Sequence, residues 1–464
     1  MARLIRPRRA VSTNPLKSSA PLGAAMAYLG IEGAVPLFHG AQGCTAFAMV
    51  HMVRHFREAI PLQTTAMNEV STILGGADQI EEAIANLKTK AAPRFIGIAS
   101  TALTETSGDD IAGDLQDIRA RRPDFDDVRI VYASTPDFEG ALEDGWAKAA
   151  TAIVDALVPP AEPCRREVEP HQVNILPAAC LTPAEVEEIA HLVRAFGLTP
   201  IMLPDLSTSL DGHLAEDWSG RSLGGTPLDA IPAMARSKAT FAIGESMAEA
   251  ATLLGDRGHM PVRVFPALTG LTAVDAFVSA LMGLAGATDA PAAIKRDRAR
   301  LQDAMLDAHF HTGGLRYAIA AEPDLAYALS TALESMGAEA VCCVTTSAAN
   351  PIIDLIPADE ATVGDLGDLE AGARAGGATL LIAHAHGRHV AAALGLPLLR
   401  AGFPINDRLG AQDACRVGYR GTRAFLFEVA NAVLAQSHQP RPEAFGAAPI
   451  SPEFEHDGPQ IVPH

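Results

Sequence analysis

Cysteines and histidines carry most of the chemical possibilities in this 464-residue chain, and Cys44 has the most suggestive neighbours. The run Phe38-His39-Gly40-Ala41-Gln42-Gly43-Cys44-Thr45 sets a thiol directly after one glycine and four residues after another. Backbone in such a turn can approach a bulky ligand closely, and its amide groups can point at anionic sulfur. An iron–sulfur cluster normally takes four thiolates. No C-x2-C series and no other cysteine lies near Cys44 in sequence. Cys44 alone cannot hold a cluster, so one held here needs ligands from distant cysteines of this chain or from another polypeptide across an interface.

The other reactive groups read more plainly. His384, His386 and His389 gather behind the apolar run Leu380–Ala383, at a strand end, where open α/β sheets bind ligands. They read either as contacts to an anionic or metal-containing ligand or as a hydrogen-bonded turn. His51 and His55 are four residues apart, which on a helix would turn both imidazoles toward one metal. No Glu sits between them and Arg54 and Arg57 flank them, so a satisfied or surface pair is favoured. Cys342 and Cys343 are adjacent on a β-prone run and point to opposite faces, so they read as small apolar thiols rather than a shared metal site. Cys164 and Cys415 stand alone in linker and loop contexts. Gly244-Glu245-Ser246-Met247-Ala248 misses the nucleophile-elbow pattern at its last position. There is no Walker-type loop and no G-x-G-x-x-G after a strand.

The elements that must position these groups alternate in type. Val173–Leu176 is β-prone, and Thr182-Pro183-Ala184-Glu185 then opens a helix with an N-cap, proline at the first helical position and a capping-box glutamate. Val186, Ile189, Ala190 and Val193 follow on one face, Gly197 stops the helix, and Pro200–Leu203 supplies the next strand. The pattern recurs from Tyr317–Ala320 through a helix at Pro323 and a stop at Gly337 to Ala340–Val344, and again from Leu380–Ala383 to Pro397–Leu399. Phe95–Ile98 and Val128–Val131 are the surest strands of the first third. Such alternation predicts parallel β-α-β units in three doubly wound α/β domains. Prolines 159, 160, 163 and 170 mark a linker, and six prolines mark the segment from Pro440 onward. The expected layout is a first domain over 1–158, with an N-terminal arm and the Cys44 turn, and a linker over 159–172. A second domain over 173–290, a third over 291–436 with a C-terminal helix, and a proline-rich tail over 437–464 complete it.

Composition narrows the function classes. There are 36 Lys+Arg against 55 Asp+Glu, a net charge of −19, which argues against nucleic acid as a partner. Arg3, Arg6, Arg8 and Arg9 cluster without a following apolar run and read as a solvated arm rather than an export signal. The segment from Val264 to Thr288 is interrupted by Pro266 and Asp275 and does not suit a membrane span. Six cysteines without an export signal suggest reduced thiols in a cytoplasm.

Several ordered segments carry a resemblance. Ser12-Thr13-Asn14-Pro15-Leu16-Lys17, Pro21-Leu22-Gly23, Gly40–Cys44, His55-Phe56-Arg57-Glu58, Asn68-Glu69 with Gly75-Gly76, Thr104-Glu105 with Gly108-Asp109-Asp110, and Arg400–Pro404 with Asp407-Arg408 resemble the β-type subunits of the nitrogenase component 1 family. The similarity runs from about Asn14 to Gln436 and is strongest to the branch that builds the iron-molybdenum cofactor. It implies three Rossmann-like domains, in agreement with the alternation above. Catalytic β subunits carry further cysteines where this chain has Leu62 and Ala102, so the resemblance implies no eight-iron cluster. Instead it implies a 4Fe-4S cluster at the interface with an α-type partner, NifE, with Cys44 as the one ligand from this chain. It implies an α2β2 heterotetramer that holds an iron-molybdenum cofactor precursor, a nitrogenase reductase (the iron protein) docking transiently, and the core donor NifB. Glu69 and Glu105 could order the cluster turn or act as caps. The alternative is the β subunit of an active nitrogenase-like reductase.

Overall fold

The computed structural model describes residues 2–7, 12, 14–161, 167–214 and 219–437. Arg8, Arg9, Cys164 and the proline-rich segment beyond Ser437 lie outside the described residues. Three parallel sheets organise the chain. After β1 (Arg3–Ile5), the first sheet takes β2 (Ala34–His39), β3 (Gln63–Thr64), β4 (Phe95–Ser100) and β5 (Arg129–Ala133) in the order β3-β2-β4-β5. The second takes β6 (Glu169–Pro177), β7 (Thr199–Met202), β8 (Ser237–Ile243) and β9 (Val262–Phe265) in the order β7-β6-β8-β9. The third takes β10 (Arg316–Ala321), β11 (Glu339–Thr345), β12 (Glu360–Val363), β13 (Leu380–Ala383) and β14 (Leu398–Arg400) in the order β1-β12-β11-β10-β13-β14. The chain thus forms the expected three α/β units. Every residue of β2, β4 and β13 is buried, as required of strands covered by helices on both faces.

The N-terminus departs from the sequence reading. Arg3–Ile5 is not a free arm but an edge strand paired in parallel with β12, and Arg3 forms an ion pair with Glu360. An apolar Leu4-Ile5 pair extends a sheet edge at little cost, which charge counting does not reveal. The strand β6 begins at Glu169 and includes Pro170, where its register with β8 shifts. A residue without an N–H is tolerated at such an irregularity.

Local chemistry explains the helices. The Pro183–Ala195 helix has the expected reciprocal cap: Glu185 N–H donates to Thr182 Oγ1 at 3.2 Å, and Thr182 N–H donates to Glu185 Oε2 at 2.9 Å. All ten residues of the Ala20–Leu29 helix are buried. It lies against the Leu142–Leu157 helix through two glycines, because a Cβ on Gly23 would meet the Leu142 carbonyl oxygen at 1.8 Å and one on Gly145 the Ala20 carbonyl oxygen at 1.8 Å. Trp146, on the same helix, is 1% exposed and donates from Nε1 to the Pro177 carbonyl at 2.9 Å, joining the first unit to the second.

The three units meet at a junction of buried carboxyl groups. Asp324 accepts from Glu245 N–H at 3.1 Å, from Ser246 N–H at 3.2 Å and from Ser246 Oγ at 2.6 Å. The Asn350 amide donates to Asp324 Oδ1 at 2.9 Å and to Glu143 Oε1 at 2.6 Å, and Asp324 N–H donates to Glu143 Oε2 at 3.1 Å. Ser246 therefore has a structural partner, in keeping with its incomplete elbow pattern. Burial, reinforced by the mutual repulsion of Asp324 and Glu143, pushes the Glu143 carboxyl well above the usual range, and burial also raises Asp324.

Candidate cluster and ligand face

Cys44 sits in the first turn of the Gln42–Phe56 helix, which begins directly after the C-terminal end of β2. The bend expected from the glycines is tighter than a free loop because the helix starts already at Gln42. Ala41, the N-cap, offers no side-chain acceptor, so amide donors of the first turn remain available for an anionic group, and the helix dipole favours negative charge there. Gly40 is required by close packing, since a Cβ would lie 2.2 Å from Thr101 Oγ1. Gly43 is different: a Cβ there would meet nothing within 4 Å. Cys44 is exposed. Partial burial, and then the charge of Asp137, raise its thiol pKa while its own backbone hydrogen bond opposes them. Free of a metal, it is therefore a poor thiolate, and an electropositive ligand is what would deprotonate it.

Cys44, Phe47, Ala48 and His51 share one helix face by their i, i+3, i+4, i+7 spacing. That face borders a cavity of about 530 Å³ whose walls also include Lys17, Asp137 and His386. Phe47 is 75% and Val50 52% exposed on this helix, and Phe138, next to Asp137, is 64% exposed. Such a concentration of large apolar side chains beside a lone thiol is the character of a surface that another protein covers.

The tertiary structure brings together histidines that sequence separates by more than 300 residues. The rings of His51 and His386 lie 6.0 Å apart, and those of His384 and His386 5.1 Å apart. His384 is fully engaged: Nε2 donates to the Leu16 carbonyl at 3.1 Å, and Nδ1 accepts from His386 N–H at 3.2 Å. Burial, and then His386, lower its pKa to about 4. His55 is satisfied as expected, its Nδ1 accepting from Ile405 N–H at 2.9 Å. His389 is exposed. Cys343 is buried and Cys342 is partly so. Among the described residues, no three His, Cys, Asp or Glu side chains are placed to hold a metal ion.

The other residues that the sequence singles out separate cleanly in space. Leu62 is 1% exposed, a core side chain, and Ala102 opens the Ala102–Ser107 helix at the C-terminal end of β4. Glu105 accepts from Ser134 Oγ at 2.6 Å, from Tyr132 OH at 3.3 Å and from Ser100 Oγ, which ties β4 to β5. Glu69 is exposed in the first turn of the Glu69–Leu74 helix, a favourable place for a negative charge. Sequence reasoning overlooked Asp137 and met Lys17 only as the end of a resembling segment, with no role. Lys17 Nζ donates to the Asp137 carbonyl at 2.7 Å, and no spacing rule links residues 120 positions apart.

The comparisons with known proteins bear on this geometry. The family described as nitrogenase component 1 type oxidoreductase matches residues 19–434. The chain belongs to that family. It is 64% identical, over 100% of its length and 99% of the relative's, to the nitrogenase iron-molybdenum cofactor biosynthesis protein NifN of Rhodobacter capsulatus. It is 49% identical to the protein of the same name from Mesorhizobium japonicum, over 96% of this chain and 95% of that one. Among solved structures, one of nitrogenase Cp1 at pH 6.5 superposes with a TM-score of 0.88 at 28% identity, covering 96% of this chain and 98% of the other. The family's three-unit α/β architecture is therefore the one found here. No helix among the described residues is long and apolar enough to cross a membrane.

Proposed function

We propose that this chain is the β-type scaffold subunit of a complex that matures the iron-molybdenum cofactor of nitrogenase. It works with an α-type partner, NifE, in an α2β2 heterotetramer. The full-length identity to relatives named for this biosynthesis supports the role. In this reading the complex receives an iron–sulfur core from NifB and holds it while molybdenum and homocitrate are added, with a nitrogenase reductase docking transiently.

One observation carries the chemical part of the proposal. A single exposed thiol, in a helical first turn with free space at Gly43, stands on an apolar face with no second thiol beside it among the described residues. A site of one sulfur fits a cluster whose other ligands come from across an interface, and it does not fit a cluster resident in this chain. Cys44 would give one thiolate to a 4Fe-4S cluster, and the partner the other three. Such a cluster, when bound, supplies one-electron transfer. This chain orients the sulfur through the helix start, excludes water through Phe47, and offers first-turn amides to the anionic sulfur. Leu62 and Ala102 provide no thiol for a larger cluster, which disfavours the β subunit of an alternative nitrogenase, and the resemblance over Asn14 to Gly30 disfavours a chlorophyll-type reductase.

The test is Cys44→Ala in the purified heterotetramer. Iron content should fall by the share of one 4Fe-4S cluster per αβ pair, and the EPR signal of the reduced cluster should disappear. Undiminished iron with an unaltered signal refutes the assignment. Substrate reduction by the unsubstituted complex at nitrogenase-like rates would favour the reductase reading.

A further inference from the structure

The cavity beside Cys44 has a second end that the cluster reading does not use. There the Gln42–Phe56 helix of the first unit faces the turn after β13 of the third, with His51 and His386 across from each other at 6.0 Å between ring centroids. We propose that this end is a binding site for a small multivalent anion, with His51 and His386 as N–H donors and Arg54 and Arg388 supplying the charge. The inference does not depend on Cys44 holding a cluster.

Donor inventory supports it. His384 has both ring nitrogens engaged and acts as the post that fixes His386. The Asn406 amide donates to His386 Nε2 at 3.4 Å, and its orientation is set by Arg388 Nη1, which donates to Asn406 Oδ1 at 3.4 Å. With Nε2 accepting, the His386 proton sits on Nδ1, which has no acceptor among the described residues. His51 has ring contacts to Phe47 and His386 but no hydrogen bond at either nitrogen among the described residues.

Charge decides between an anion and a cation. Two facing imidazoles can also share a metal ion. Arg54 and Arg388, however, have no carboxylate within ion-pair distance among the described residues, in a chain of net charge −19. Asp407, which feels the charge of Arg388, is paired with Arg400 at 2.8 Å. The carboxylate on the cavity wall, Asp137, lies toward the Cys44 end, beside Lys17. Burial, and then the field of Arg54, hold His51 below the ordinary imidazole range; His386 is held down by burial and by His51, Arg388, His389 and Arg54. Arg54, one turn beyond His51 on the same helix, and Arg388, two residues beyond His386, set positive charge beside both imidazoles, which repels a divalent cation and attracts an anion. The whole cavity, its Cys44 end included, measures about 530 Å³, within the range of small-molecule sites; His51 and His386 line it, and Arg54 and Arg388 stand behind them outside the lining.

The heterotetramer is titrated calorimetrically with malonate and, separately, with inorganic phosphate at low ionic strength. At least one should bind with a Kd below about 1 mM, and preference for one or the other identifies the ligand as dicarboxylate or oxyanion. Arg388→Gln and Arg54→Gln, both at exposed side chains, should each weaken binding about tenfold, and His51→Gln by a similar factor. Binding of neither probe, or unchanged affinity in the Arg54→Gln/Arg388→Gln double variant, overturns the proposal. Stoichiometric zinc binding abolished by His51→Gln, without anion binding, overturns it in favour of a metal site. The anion isotherm should persist in Cys44→Ala, which separates this result from the fate of the cluster assignment.

Discussion

The Cys44 face and the Glu143–Asp324 junction use polar chemistry in opposite ways. At the junction, carboxyl groups from different units are sealed from water, yet each is satisfied by amide or hydroxyl donors. At the Cys44 face, large apolar side chains and the thiol are exposed, and His51 has ring contacts but no hydrogen bond among the described residues. Buried polar groups are costly unless paired, so the junction must be complete within the chain. The face is incomplete within the chain, which is tolerable only at a surface that something else completes. Under the proposed function, stability and function fall in different regions, and substitutions should separate them.

The largest effect is expected at the junction. Asp324→Ala removes the acceptor of four donors and strands them in a dry setting, which should cost about 4 kcal/mol. Thermal unfolding should show a clearly lowered midpoint, and an unchanged midpoint would mean that the units are held by apolar packing alone. Slightly smaller is the pH effect of Glu322, whose carboxyl is pushed up to about 7 by burial, against the hydrogen bond from Thr346. The folded state then binds more protons than the unfolded one between about pH 4.5 and 7. The stability this group contributes is present below about 4.5 and lost as pH rises to 7, an amount of about 3 kcal/mol. Glu322→Gln should flatten that part of the profile of thermal midpoint against pH, and an unaltered slope would contradict the burial argument. The smallest effect is expected at the face itself. Cys44→Ser should move stability by less than about 0.5 kcal/mol in the isolated chain, as for other exposed positions; a large loss would show that the thiol is a packing residue.

Much of this was legible in the chain, for stated physical reasons. The Thr182–Glu185 capping box, the Tyr317–Ala320 and Leu380–Ala383 strands and the stop at Gly337 follow local rules of period and cap, and the structure has them where those rules place them. The satisfied His55 was readable from its flanking arginines and the missing Glu, and the opposite facing of Cys342 and Cys343 from their adjacency on a strand. The edge strand Arg3–Ile5 was not, because three residues carry no period and their partner is β12, far along the chain. The conjunction of His51 with His386, and of Lys17 with Asp137, was equally invisible.

Amino-acid order alone determined the alternation of strands and helices, the solitary character of Cys44 and the absence of thiols at Leu62 and Ala102, since these depend on near neighbours and on residue type. Only the tertiary structure decided that the thiol faces outward, that Glu143 and Asp324 share a buried site, and that imidazoles from opposite ends of the chain meet across one cavity. The reason is that side-chain burial and through-space charge depend on how the three sheets pack, and a linear spacing holds no record of that packing.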